Sequence, residues 1–369
     1  MNVKKCLSAL LVLLGCIIAR AEDIDGSIFY MDTNRTYYLH TPPQYDGITA
    51  VPLVINMHFY GGSGHYQASA SGMNAKSDAE GFIVVYPDAY GFPPSWKMDI
   101  DLGFISNLMD SLIADYSIDT LRIFAAGYSN GAFMAHVLAC NLSSRIAAAA
   151  FVSGGLMITD WSEFKLERAI STMHFHARND PVLPYYGDEY YAPVEDMVSS
   201  WAGVNGCETG PDSFYGPTGA LRQRWSNQEN DMEIILWSTD NADHGWPQDT
   251  NAYKISANDE MWDFFVAHPL PPHQSIDEKP LSPGHPATLE HRTISRNSLI
   301  IRFALPKRES VYPQIFDASG RRCMFPFEVV REAGECRVIL DISNAGSGVY
   351  FCRIITPSRA FSGSFVVIH

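Results

Sequence analysis

The sequence has little positive charge, and beyond its first 21 residues it has no long apolar run. It carries 26 lysines and arginines against 41 aspartates and glutamates, a formal net charge of -15, and no block of like charges. Nucleic acids and anionic membranes are bound by clustered basic side chains, so the composition argues against both partners. Because a membrane-spanning helix needs roughly 20 apolar residues, we also expect no stable membrane insertion.

The first 21 residues have the pattern of a signal peptide: two lysines, an apolar stretch over residues 7–18 and Ala-Arg-Ala at 19–21. An alternative interpretation places a lipoprotein box at residues 13–16. Both interpretations predict export, and therefore a secreted or cell-surface protein.

Seven cysteines are present, and their spacings match no zinc-binding pattern. Export permits disulfides, and a bridge between Cys140 and Cys207 is one prediction. Cys323, Cys336 and Cys352 lie near the end of the sequence, and at least one of them is left without a partner among the three. Neither a metal nor an organic cofactor is implied.

Between residues 22 and 268, apolar runs alternate with segments of helical periodicity. Such alternation predicts an α/β domain in which helices cover both faces of a mostly parallel sheet. The predicted strands are residues 53–57, 81–86, 121–126, 147–152, 172–175 and 233–237, and the predicted helices are 101–116, 131–139 and 258–267.

A proline-rich linker is predicted over residues 269–289. From 290 to 369 helical periodicity disappears, and short β candidates are separated by turn signals. They predict a small antiparallel β-sandwich with strands at 298–303, 311–316, 336–340, 349–355 and 364–368.

Residues 127–131 (Gly-Tyr-Ser-Asn-Gly) match the pattern G-x-S-x-G. A predicted buried strand precedes this segment and a helix follows it, so the turn must be sharp and must expose the serine hydroxyl at the carboxyl end of the sheet. We therefore predict Ser129 as the nucleophile of an acyl transfer. The alternative is a serine that only caps the helix.

A nucleophilic serine needs a base, and on this type of fold the acid and the histidine follow the serine in that order. His244, in a loop after the late strand at 233–237, is the predicted base. His174 and His176 lie within a strand and precede the predicted acid, so they are interpreted as packed side chains. His268 is interpreted as the cap of the last helix.

Asp180, just past a predicted strand and before a proline, is the predicted acid that orients the histidine ring. Asn-Asp-Pro is also ordinary turn chemistry, so an aspartate that only forms the turn is the alternative. Asp188 and Asp196 are the other candidates, whereas Asp243 adjoins His244 too closely to orient its ring easily.

The oxyanion of an acyl transfer needs fixed N–H donors. The first predicted donor is the backbone N–H of Asn130, directly after the nucleophile. The second is the N–H of Tyr60, with Phe59 as the alternative, in the glycine-rich loop 58–64, whose glycines let the backbone approach a substrate.

Eight segments occur in a characteristic order: 58–64, 86–89, 103–105, 127–132, 139–140, 180–185, 201–207 and 244–247. Together they resemble carbohydrate esterase family one and the related polyhydroxybutyrate depolymerase-like proteins, which include feruloyl and acetylxylan esterases. The resemblance covers most of residues 28–268 and implies the α/β-hydrolase fold, with Ser129, Asp180 and His244 at the triad positions. Phe59 departs from the family, which usually has glycine after the loop histidine.

The resemblance, the export signal and the acidic composition favour a plant cell-wall ester as substrate. We rank feruloylated xylan first, acetylated xylan second and polyhydroxybutyrate third, with Trp246, Tyr128 and His58 as candidate substrate contacts. The competing hypothesis is a carbohydrate-binding protein on an inactive hydrolase fold. Residues 290–369 resemble the C-terminal sorting domains of the type nine secretion route, which implies secretion machinery as a partner of that domain.

Overall fold

The computed structural model describes residues 21–271, apart from 32, 156–165, 167, 208, 217–218, 228, 230 and 241, and the strands between 287 and 367. The chain divides into two compact units, Met1–Pro272 and His273–His369. The predicted signal peptide, the lipoprotein box and most of the proline-rich linker lie outside the described residues.

The first unit contains ten strands and six helices among its described residues. The strands are β1 (Glu22–Tyr30), β2 (Thr33–Thr41), β3 (Val51–Met57), β4 (Ile83–Pro87), β5 (Ile118–Tyr128), β6 (Ala148–Val152), β7 (Ser171–Ala177), β8 (Thr209–Tyr215), β9 (Leu221–Asn227) and β10 (Met232–Thr239). The helices are α1 (Gly64–Ser71), α2 (Met73–Glu80), α3 (Met98–Asp115), α4 (Asn130–Asn141), α5 (Val194–Val204) and α6 (Ala257–Ala267).

The ten strands form one sheet in the order β1-β2-β4-β3-β5-β6-β7-β10-β9-β8. The six central strands, from β4 to β10, pair in parallel. The pairs at both edges, β1–β2–β4 and β10–β9–β8, are antiparallel. The sheet is therefore mixed and mostly parallel, which confirms the predicted α/β class.

Both faces of the central strands are buried because helices cover each of them. Along β3, Leu53 and Ile55 belong to one buried cluster and Val54 to another, as the alternation of side chains along a strand requires. The first cluster includes residues of α3, α4 and α5, and the second includes residues of α6. Continuous apolar strands such as β3 and β6 are typical of this double burial.

The second unit contains nine described strands in two sheets. β11, β19, β18, β14 and β15 lie in one sheet, with β16 paired to β14, and β12, β13 and β17 form the other. Residues of both sheets share one buried cluster, and the sandwich arrangement itself stays a prediction. The strands are β11 (Ala287–Thr288), β12 (His291–Ser295), β13 (Ser298–Leu305), β14 (Glu309–Asp317), β15 (Arg322–Met324), β16 (Val329–Arg331), β17 (Gly334–Asp341), β18 (Gly348–Ile355) and β19 (Ala360–Val367).

The cysteines give one correction. Cys140 and Cys207 are both free thiols, so the predicted bridge between them is wrong for this structure. Cys207 instead points its sulfur at the carbonyl of Met232, 3.8 Å away.

Within the described part of the chain, no helix is long and apolar enough to cross a bilayer.

Candidate active site

The carboxyl ends of five parallel strands meet at one edge of the sheet. Met57 at the end of β3 is in register with Gly127 near the end of β5, and Tyr128 is in register with Val152 at the end of β6. β7 and β10 end together, with Ala177 opposite Thr239. Every predicted site residue lies at or shortly after the end of β3, β5, β7 or β10, so the topology gathers them at one place.

Ser129 stands between β5 and α4 with φ 53° and ψ -118°, a left-handed conformation that is strained for a residue with a Cβ. It occupies the N-cap position of α4, but its side chain makes no capping hydrogen bond. The interpretation of Ser129 as a simple helix cap is therefore wrong, because its hydroxyl does not cap. Such a strained, half-buried serine between a strand and a helix is the geometry expected of a nucleophile elbow.

The two glycines of the pattern are required by close backbone contacts. A Cβ on Gly127 would lie 2.2 Å from the carbonyl oxygen of Gly131. A Cβ on Gly131 would lie 2.1 Å from the carbonyl oxygen of Met57 and 2.7 Å from that of His58. The start of α4 thus packs directly against the end of β3, which brings the loop after β3 beside Ser129.

Asp180 uses its two carboxylate oxygens for two different tasks. Oδ1 accepts the backbone N–H groups of Val182 at 2.8 Å and Leu183 at 2.9 Å, and Oδ2 accepts Nδ1–H of His244 at 2.7 Å. Burial alone would raise the pKa of Asp180, but these donors outweigh it and hold the pKa below its usual value. Asp180 therefore forms the turn and also fixes the tautomer of His244.

His244 is positioned to act as a base once Asp180 holds Nδ1–H, because a neutral ring then has its lone pair on Nε2. Its side chain is 13% exposed, whereas the Asp180 side chain is fully buried. Its ring lies 5.2 Å from the ring of Tyr128, the residue before Ser129. No hydrogen bond joins Ser129 to His244 among the described residues, and catalytic hydrogen bonds are often loose before substrate binds.

The other acid candidates are engaged elsewhere. Asp188 accepts the N–H groups of Tyr190 and Tyr191 in an exposed turn, and Asp196 lies in the first turn of α5. Asp243 is exposed, and the described contact with His244 comes from Asp180.

The strand histidines are packed, as the sequence predicts. His174 Nε2 lies 3.1 Å from His176 Nδ1, and His176 Nε2 donates to the carbonyl of Leu183 at 2.8 Å. Burial lowers the pKa of both rings, and His176 thereby holds the Asp180 turn as a neutral imidazole. His268 ends α6, and its Nδ1 donates to Phe264 O at 2.7 Å, which confirms the predicted cap.

In the loop after β3, some backbone N–H groups donate hydrogen bonds to other protein groups, and others remain available to a substrate. Gly61 N–H donates to Pro94 O at 2.8 Å and Gly62 N–H to Phe59 O at 3.0 Å. Within the described residues the N–H groups of Phe59 and Tyr60 have no such partner, and both remain candidates beside Asn130 for holding an oxyanion.

Two of the predicted substrate contacts need correction. His58 is fully buried, and its ring accepts Ala89 N–H and donates to Phe59 O, so it orders the loop rather than facing a substrate. Trp246 is 4% exposed and donates Nε1–H to the half-buried Asn258 of α6. Tyr128 is half-buried and its ring contacts Phe59, His244 and Trp246.

Sequence reasoning missed Ser153 and Tyr253, which contact the loop of His244. Ser153 has φ 45°, and Tyr253 is buried and bonded to Asp243 O. Neither lies in a motif: Ser153 reaches the loop only through the fold, and Tyr253 follows Asp243 in the chain without a recognisable pattern.

Comparison with known proteins supports the same chemistry. A family described as phospholipase/carboxylesterase matches residues 97–194. A bifunctional acetylxylan esterase/xylanase from Neocallimastix patriciarum is 29% identical over 155 residues, which cover 39% of this chain and only 23% of that enzyme. Feruloyl esterase C from Emericella nidulans is 27% identical over 246 residues, or 63% of this chain and 84% of the relative.

Among solved structures, an acetyl xylan esterase from Aspergillus awamori matches with a TM-score of 0.53 and 18% identity, covering 67% of this chain and 99% of the other. That likeness supports the α/β-hydrolase fold of the first unit. The fold likeness carries no activity by itself, but the family match and the esterase relatives support a carboxylic ester hydrolase.

Proposed function

We propose that the protein is an exported serine esterase that hydrolyses ester groups on plant cell-wall polysaccharides, with feruloylated xylan as the preferred substrate. The observation that carries the proposal is the strained Ser129, whose hydroxyl does not cap its helix, at the same sheet edge as the Asp180–His244 pair.

The proposed reaction has two acyl-transfer steps. Nε2 of His244 takes the proton of Ser129 as Oγ attacks the ester carbonyl, and the N–H groups of Asn130 and of Tyr60 or Phe59 stabilise the oxyanion. The C–O bond to the sugar then breaks, and the departing oxygen receives the proton from His244. Water attacks the acyl-serine with His244 again as base, which releases the carboxylic acid and restores the serine.

The choice of substrate rests on the relatives and on two exposed aromatic side chains. Tyr60, in the loop after β3, is 60% exposed, and Tyr186, after the Asp180 turn, is 72% exposed. Aromatic faces at such positions can stack on a phenolic or sugar ring. The feruloyl esterase relative matches most of its own length, which favours a feruloyl ester, and the acetylxylan esterase relative makes an acetyl ester the second candidate.

Turnover of p-nitrophenyl acetate tests the nucleophile. We expect Ser129→Ala to lose on the order of 10⁶ in rate with unchanged unfolding, whereas the control Ser111→Ala, in α3, keeps full activity. A fully active Ser129→Ala enzyme would end the proposal. An inactive wild-type protein that still binds xylan would favour the alternative of a carbohydrate-binding protein.

A side-by-side assay of methyl ferulate, acetylated xylan and polyhydroxybutyrate tests the substrate ranking. We expect the highest kcat/KM with methyl ferulate. Preference for acetylated xylan or for the polyester would replace the first choice without affecting the triad.

Export is tested separately by N-terminal sequencing of protein from the culture medium, where we expect Glu22 as the first residue.

A further inference from the structure

Three hydroxyl groups bind three consecutive backbone carbonyls of the loop that carries the base. The hydroxyls come from the end of β5, from the residue after β6 and from the segment before α6. The contacts are Tyr253 Oη to Asp243 O at 2.8 Å, Tyr128 Oη to His244 O at 3.1 Å and Ser153 Oγ to Gly245 O at 3.3 Å.

The next two carbonyls of the loop are also bonded. Asn251 Nδ2 donates to Trp246 O at 2.9 Å, and Ala257 N–H donates to Pro247 O at 3.1 Å. Five successive carbonyls, residues 243–247, therefore have fixed donors. Loops are usually mobile and poorly bonded, so the segment that must present His244 is fixed more completely than is typical of a loop.

Each of the three hydroxyls is a neutral donor at ordinary pH. Burial raises the pKa of Tyr128 to about 12, with Asp180 adding to the effect, and burial likewise raises the pKa of Tyr253. Ser153 Oγ also lies 3.2 Å from Tyr253 Oη, so these two hydroxyls contact each other. Ser153 and Tyr253 are buried, where a hydrogen bond to a carbonyl is not exchanged for one to bulk water.

Two features connect this arrangement to catalysis rather than to general packing. Tyr128 directly precedes Ser129 in the chain, and its hydroxyl binds the backbone carbonyl of His244, so this one residue connects the nucleophile with the base. Ser153 keeps a left-handed φ of 45° while its N–H donates to Phe175 O at 2.8 Å. Strain at a fully buried serine persists where surrounding contacts require it, and it is concentrated near functional sites.

We propose that Tyr128, Ser153 and Tyr253 are positioning residues that hold the backbone of residues 243–245 so that the His244 ring meets Ser129 Oγ on one side and Asp180 on the other. We call the three hydroxyls and the three carbonyls the carbonyl clamp. The proposal rests on the proposed function, because it assigns to the clamp the alignment of that esterase's base.

The test uses the full chain with Tyr253→Phe, Ser153→Ala and Ser153→Gly. Removing one hydroxyl leaves the triad intact but loosens His244, and small misplacements of a catalytic group are costly. We expect kcat for p-nitrophenyl acetate to fall about tenfold in each variant, with KM changing less than about threefold. The matched control is Tyr45→Phe, which removes a hydroxyl that accepts Ser117 N–H at 2.8 Å away from the site, and it should keep kcat.

Ser153→Gly separates positioning from stability. Glycine adopts φ 45° without strain, so this variant should unfold at a higher temperature than Ser153→Ala while being equally slow. If kcat instead follows the unfolding temperature across the variants, the residues are merely structural and the proposal fails.

Hydrogen exchange of the peptide spanning residues 242–248 gives a readout independent of turnover. We expect exchange about tenfold faster in Tyr253→Phe and Ser153→Ala than in wild type, and no change in Tyr45→Phe. If wild type has no esterase activity but the exchange result holds, the proposed function fails with the catalytic role of the clamp, and only its fixing of the loop backbone is retained. Unchanged kcat and unchanged exchange in an active enzyme would overturn the clamp alone.

Discussion

A Cβ atom on Gly131 would lie 2.1 Å from the carbonyl oxygen of Met57. Real Cβ atoms do not approach backbone oxygen this closely, so α4 or β3 must shift. We expect Gly131→Ala to lower the free energy of unfolding by about 1–3 kcal/mol and to lose esterase activity, because the shift moves Ser129 and the loop after β3. Urea denaturation and p-nitrophenyl acetate turnover measure the two effects.

Gly203→Ala is the matched control for that variant. Gly203 lies in α5, and a Cβ there meets nothing within 4 Å. Gly203 is the penultimate residue of α5, where alanine causes no clash and restricts the unfolded chain more than glycine, so this variant should be at least as stable as wild type and fully active. Equal behaviour of the two alanine variants would contradict the close approach at Gly131.

The two tasks of Asp180 can be separated by substitution. Asn keeps an oxygen for the N–H groups of Val182 and Leu183, but its amide group cannot accept Nδ1–H of His244 and would favour the wrong tautomer. We expect Asp180→Asn to lower kcat about 10⁴-fold with the turn retained. Asp180→Ala should be equally inactive and should also unfold at a lower urea concentration, which comparison of the two denaturation curves tests. Identical curves would mean that Oδ1 does not stabilise the turn.

The central sheet and the elbow were predictable because their signals are local. Strands buried on both faces are continuous apolar runs, as in β3 and β6, and G-x-S-x-G encodes the close contacts of Gly127 and Gly131. β1 was not predicted, since its side chains alternate between exposed and half-buried at an edge of the sheet. Its pairing with β2 follows from the tertiary fold.

In the candidate site, the sequence predicted the residues whose side-chain type is required for the reaction, but not those whose role depends on orientation. Asp180 and His244 follow the strand order, but the sequence could not show that Trp246 is buried against α6 or that both His58 nitrogens are occupied. A sequence motif can place a loop at the active site, but it does not show which side chains of that loop face outward. Ser153 and Tyr253 have no motif at all, so only their distances to the base loop identify them.

Tyr60 offers a test of substrate choice that leaves its backbone donor in place. If its exposed ring stacks on a phenolic acyl group, Tyr60→Ala should lower kcat/KM for methyl ferulate about tenfold and leave p-nitrophenyl acetate nearly unchanged. Tyr215→Ala, an exposed tyrosine on the edge strand β8, is the control. An equal loss on both esters would assign Tyr60 to loop structure instead.

Three buried histidines predict a pH dependence of stability. Burial lowers the pKa of His136 to about 3 and also lowers those of His174 and His176. Below the unfolded value of about 6.5 the unfolded chain binds protons that the native state excludes, so stability is present above that pH and is lost as the pH falls toward the folded values.

The measurement is the free energy of unfolding between pH 7 and pH 5. His136→Phe removes one such site, so its curve should be flatter than that of wild type by up to about 1.4 kcal/mol per pH unit. A difference between the two proteins that stays constant over this range would show that His136 takes up a proton in the native state.

The free thiols of Cys140 and Cys207 make the last prediction. Protein isolated without reductant should react with iodoacetamide at both positions once it is unfolded in guanidinium, and peptide mass spectrometry reads this directly. In the native state both should react slowly at pH 8, because burial raises the pKa of Cys140 to about 12 and that of Cys207, where Glu233 contributes, to about 11. The double variant Cys140→Ala/Cys207→Ala should lose only about 1–2 kcal/mol, the scale of small core truncations. A bridge closing so long a loop would instead contribute about 4 kcal/mol, and a linked, unalkylated peptide pair would contradict the reduced state.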